Sequence, residues 1–62
     1  MDIMNIRNRR LETATRLLGF FYDAQKEGNA DECIEKLSQM NDMGVEYKIF
    51  FNIETGKVSY LE

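Results

Sequence analysis

Few side chains in this 62-residue chain could carry out a reaction. There is no histidine, and Cys33 is the only cysteine. A thiol attacks as its thiolate, which a basic neighbour or a helix N-terminus favours. Cys33 stands near the start of a candidate helix, but on its apolar stripe, where a free cysteine is expected as a core side chain. A lone cysteine excludes a disulfide within the chain, and without histidine or a cysteine pair there is no zinc-type ligand set. Asp31, Glu32 and Glu35 lack the alternating oxygen ligands of a calcium loop. They suit a helix start, where the dipole favours anions. Thr55-Gly56-Lys57 lacks the first glycine and the strand–loop–helix setting of a phosphate loop, and a hairpin turn accounts for it. No carboxylate pair converges, and the chain leaves no room for a pocket of some 300 Å³. The expectation is a protein that is not an enzyme and holds no metal or cofactor.

Arginine offers a second chemistry. Arg7, Arg9, Arg10 and Arg16 are four of the eight basic residues, and all lie in the first sixteen positions. That segment carries four bases against two acids, whereas the remainder carries four against nine. Guanidinium groups fork onto phosphate better than lysine does, so Arg7, Arg9 and Arg16 form a candidate nucleic-acid-binding set. A helical wheel turns Arg10 towards the core side, with Arg7 beside it. Two or three phosphate contacts give only weak, salt-sensitive binding, and the net charge of −3 opposes it.

These groups must be positioned by elements that the apolar pattern marks. Leu17-Leu18-Gly19-Phe20-Phe21-Tyr22 is the densest apolar run and holds three of the seven aromatic residues. It lies within a helix expected over residues 5–26, capped by Asp2 or Asn5, with Ile6, Ala14, Leu17, Leu18, Phe21 and Ala24 on one face. Gly19 costs about 1 kcal/mol there against alanine, for which close approach by another backbone is one reason. Gly28-Asn29 ends that helix and caps the next, with Glu32 completing a capping box. Helix 2 is expected over 30–43, with Ala30, Cys33, Ile34, Leu37 and Met40 buried and Gly44 as its stop. The period then changes. Val45, Tyr47, Ile49, Phe51 and Ile53 alternate with Glu46, Lys48, Phe50, Asn52 and Glu54, predicting a strand over 45–53 with one apolar face. A turn at Glu54-Thr55-Gly56-Lys57, with Gly56 at positive φ, returns the chain as a strand over 57–61.

The expected fold is therefore a single α+β domain of order ααββ, an antiparallel helical hairpin packed on one face of a β-hairpin. A two-stranded sheet is marginal alone, and a chain this short buries only about 60% of its unfolded surface. Pairing Glu54 with Lys57 brings Phe50 beside Leu61 on the sheet face away from the helices, with Lys48, Asn52 and Ser59 around them. That face is the expected contact surface, and a homodimer joined through the hairpins is the expected assembly. The function expected from it is a small protein-interaction module, an adaptor or an inhibitor of a larger protein. The alternatives are a weak nucleic-acid binder using the first helix and an accessory protein of a virus or mobile element. The N-terminus lacks the apolar core of a secretory signal. No run reaches the roughly 18 apolar residues of a membrane span. A single free cysteine suits a reducing compartment. A cytoplasmic protein without membrane contact is expected.

Overall fold

Apolar residues at helical spacing from Ile6 to Ala24, with no proline to interrupt them, set the longest element. A computed structural model of the chain describes residues 3–61. Helix α1 spans Ile3–Glu27 and α2 spans Ala30–Tyr47; strands β1, Ile49–Asn52, and β2, Lys57–Tyr60, follow. The strands form a two-stranded antiparallel sheet, and both helices pack against it. The ααββ order is as expected. Helix α1 starts before Asn5, so Asn5 lies inside the helix and does not cap it. Asp2 falls outside the described residues.

The helical hairpin is closed by backbone geometry. Gly28 takes φ 72°, which glycine adopts without a Cβ clash. Its N–H donates to the Gln25 carbonyl at 3.1 Å, and the Asn29 N–H donates to the Ala24 carbonyl at 2.9 Å. This bond pair is a Schellman motif, and it satisfies carbonyls that the helix end leaves open. The Asn29 side chain then accepts from the Glu32 N–H at 3.1 Å and caps α2. Only half of the expected capping box forms. The Asn29 N–H is already engaged by α1, and the Glu32 carboxylate pairs with Lys36 at 3.4 Å.

Helix α2 does not stop at Gly44. It continues one further turn and ends at Lys48, at φ 57° and ψ 47°, whose N–H donates to the Gly44 carbonyl. Val45 and Tyr47, expected in a strand, are thus helical. Glycine is required at position 44 for a different reason. A Cβ there would lie 2.9 Å from the Ile49 carbonyl oxygen, so β1 can cross α2 this closely only over a glycine. The close approach suggested for Gly19 is absent, with no atom within 4 Å of where its Cβ would stand.

The hairpin register also differs from the expected one. The pairs are Ile49–Tyr60, Phe50–Ser59, Phe51–Val58 and Asn52–Lys57, two residues away from a pairing of Glu54 with Lys57. The Asn52 side chain accepts from the N–H groups of Glu54 and Thr55, which starts the turn early. Gly56, at φ 75° as anticipated, closes it with an N–H bond to the Asn52 carbonyl at 2.8 Å. Leu18, Phe21 and Met40 form the centre of the core, with Leu17, Tyr22, Cys33, Phe51 and Val58 packed around them. Ala14, Ala24 and Ile49 are also buried.

Candidate functional site

The two seams between the helices and the sheet are built from different residues. Along the α1 seam, tyrosines close the gap. The Tyr60 hydroxyl donates to the Arg7 carbonyl at 2.8 Å, and the Arg7 guanidinium stands 4.3 Å from the centre of the Tyr60 ring. Between the two helices, the Arg10 guanidinium stands 4.4 Å from the centre of the Tyr47 ring on α2. The Tyr22 hydroxyl donates to the Ile53 carbonyl in the hairpin turn. A guanidinium over an aromatic face is held by the ring quadrupole, worth about 0.5–1 kcal/mol where exposed. Extending α2 to Tyr47 is what places that ring within reach of Arg10.

Along the α2 seam the side chains are apolar and uncovered. Leu37, Met40 and Val45 on α2, with Phe50, Ile53 and Leu61 from the hairpin, line a groove of about 510 Å³ open to solvent, which corrects the expectation that the chain leaves no room for a pocket of some 300 Å³. Four of these are exposed to a degree unusual for their type: Val45 by 67%, Leu61 by 59%, Phe50 by 49% and Ile53 by 41%. Leu37 is 40% exposed, and Ile34, further up the same helix face, 66%. The expected burial of Ile34, Leu37 and Ala30 is therefore corrected, and Met40 is the one buried member of that stripe. Ile53, expected to face inward on a strand, lies in the turn.

The reason is geometric. At 100° per residue, the mostly apolar arc of α2 runs from Met43 through Tyr47, Met40, Cys33 and Leu37 to Ile34 and Val45, about 200° of the helix, with Lys36 its one charged member. One antiparallel neighbour and a short sheet edge cover about half of that. The uncovered half becomes a wall of the groove.

Of the residues expected on the outer sheet face, Phe50, Asn52 and Ser59 do share it, because partners across the ladder point to the same side. Leu61 lies beyond the last pair, where its N–H donates to the Lys48 carbonyl at 2.7 Å. Phe50 and Leu61 are diagonal neighbours here, since Ser59 takes the place opposite Phe50. Lys48 stands at the groove end, in the left-handed region. The α2 wall, Leu37 and Val45, escapes a reading that assigns every apolar residue of a helix to the core. Measuring the width of the arc reveals it.

Among the described residues, Lys48 is the one ionisable side chain that lines the groove. Cys33 is half-buried against the core centre, away from it. Among the described residues no three histidine, cysteine, aspartate or glutamate side chains converge as a metal site would require. Of the arginines, Arg9, Arg10 and Arg16 are exposed on α1, so Arg10 does not turn to the core side as expected, while Arg7 is half-buried under its tyrosine contact. None of the described helices is long and apolar enough to cross a membrane. No protein-family model, curated protein or solved structure matches this chain.

Proposed function

We propose that this protein is a non-catalytic interaction module that acts by burying the groove between α2 and the hairpin against another protein surface. The observation that supports this most is the contiguity of its exposed apolar side chains. Scattered exposed leucines are ordinary, but Leu37, Val45, Phe50, Ile53 and Leu61 line one concavity. Phe50 is the natural anchor, because buried aromatic side chains carry a large share of interface affinity. The protein then works as an adaptor or an inhibitor, by occupying a surface and without transforming a substrate.

The arginine pattern lends less support to a nucleic-acid binder. Arg7 and Arg10 are engaged with Tyr60 and Tyr47, which leaves Arg9 and Arg16 two turns apart on α1. Two phosphate contacts supply a weak attraction that moderate salt removes.

A photo-crosslinking side chain at position 45 tests the reading. Position 45 is exposed, so the substitution leaves the core intact. Illumination in host lysate is expected to yield covalent protein adducts that survive nuclease treatment and disappear when Phe50→Lys is also present. A probe that forms no protein adduct at all, or adducts that vanish with nuclease, would count against the groove as the working surface.

A further inference from the structure

We infer that the cleft between the N-terminal half of α1 and the end of α2 is a binding site for a small organic phosphate, a monoester whose dianion meets Arg9, Arg10 and Tyr47 while its apolar body rests on Ile6 and Met43. The cleft shares no residue with the groove, so the inference stands apart from the interaction reading.

Charge is the first argument. The cleft has a volume of about 350 Å³ and is lined by Ile6, Arg9, Arg10, Thr13, Met43 and Tyr47. Small-ligand sites start at about 300 Å³. Adjacent residues stand 100° apart on a helix, and Ile6 and Thr13 fall between Arg9 and Arg10, so the two arginines flank one strip of α1. No acidic side chain lines the cleft, although the chain has a net charge of −3. Asp42 and Glu46 precede Met43 and Tyr47 but point 100° further round α2. Among the described residues neither Arg9 nor Arg10 is in an ion pair.

The donors are the second. The hydroxyls of Tyr22 and Tyr60 donate to the Ile53 and Arg7 carbonyls, whereas the Tyr47 hydroxyl has no partner among the described residues. Its ring carries Arg10 at 4.4 Å. That contact uses the face of the guanidinium, while the N–H donors lie in its plane. The stack therefore fixes where Arg10 stands without consuming its donors, and a ligand meets a group already in place. The Thr13 hydroxyl is spent on the Arg9 carbonyl at 3.0 Å, which leaves two guanidiniums and a phenol to donate. A phosphate monoester answers them with three acceptor oxygens and about two negative charges at neutral pH. A carboxylate has two oxygens in one plane and a single charge. Half-buried Ile6 and Met43 supply apolar contact for the rest of the ligand. One anion held between two helices needs no row of phosphate contacts along α1, and Arg16 lies outside the cleft.

Titration of the isotope-labelled full chain with phenyl phosphate, followed by amide and arginine Nε chemical shifts at fixed ionic strength and a pH of about 7.5, tests the inference. Shifts are expected to centre on the residues lining the cleft and to half-saturate at about 1 mM. Inorganic phosphate, without the apolar body, and benzoate, without the dianion, are each expected to bind about tenfold more weakly. Arg9→Gln and Arg10→Gln should each weaken phenyl phosphate about tenfold and Tyr47→Phe about threefold, with Arg16→Gln unchanged. Arg9 holds no ring, so its variant remains informative if Arg10→Gln loosens the two helices. Shifts that fail to saturate by about 20 mM overturn the inference, as do shifts that Arg16→Gln weakens equally or that inorganic phosphate or benzoate reproduces at equal affinity. A single-stranded oligonucleotide that saturates the same shifts at lower phosphate concentration, and loses them in Arg16→Gln, also overturns it and assigns the arginines to nucleic acid.

Discussion

Helices α1 and α2 are both amphipathic, yet only one has its apolar side covered. On α1, Ala14, Leu18, Phe21 and Ala24 are buried, and the seam to the sheet is closed by Tyr22 and Tyr60. On α2, Met40 alone is buried, and Ile34, Leu37 and Val45 face outward. The difference teaches that the same kind of residue serves two ends in one small domain. Apolar side chains on α1 are spent on holding the monomer together. Those on the outer half of α2 add little to it and stay exposed.

Truncation should separate the two helices most clearly. Leu18 is only 1% exposed, so Leu18→Ala is expected to cost about 2–5 kcal/mol in urea denaturation. Ile34→Ala, measured dilute, should stay within about 0.5 kcal/mol of the parent, as exposed positions do. Equal losses at the two sites would erase the contrast. Gly44→Ala comes next. Its methyl group would press on the Ile49 carbonyl, so a loss of about 1–3 kcal/mol is expected although alanine is the better helix former. If Gly44→Ala were stabilising, β1 would not lie on α2 as closely as the groove geometry requires. Gly19→Ala is the smallest effect and has the opposite sign. With nothing near its Cβ position, it should stabilise by about 1 kcal/mol, read as a higher denaturation midpoint. A destabilising Gly19→Ala would mean that α1 is approached where the structure leaves it open.

What the sequence reveals divides along the same line. Helix α1 and the Gly28-Asn29 boundary are legible because apolar spacing, glycine and cap chemistry agree there. The α2–β1 junction is not. Val45 and Tyr47 favour strands and alternate with polar residues, so the segment fits either period, and Gly44 resembles a stop signal. What decides it is tertiary. Gly44 is needed inside the helix to admit the Ile49 carbonyl, and the extra turn delivers Tyr47 to Arg10. The hairpin register fails for a local reason, because the Asn52 carboxamide gathers two N–H groups and starts the turn earlier. A slip of two residues preserves the side to which each residue points, which is why Phe50 and Ser59 still share the outer face. The hairpin wall of the groove was therefore readable. The α2 wall was hidden by the assumption that one neighbour covers a whole apolar arc.

The junction at Lys48 has a kinetic consequence. A single residue links α2 to β1, and it is held on both sides, by its N–H to Gly44 and by its carbonyl to Leu61. The two walls of the groove therefore share one short hinge with no slack. If the proposed interaction holds, docking needs no folding step and no loop to be ordered, so encounter should proceed at about 10⁵–10⁷ M⁻¹s⁻¹, the usual range for docking two specific patches. The lifetime of the complex, set by how well the apolar contacts fit, is then the quantity that mutations tune.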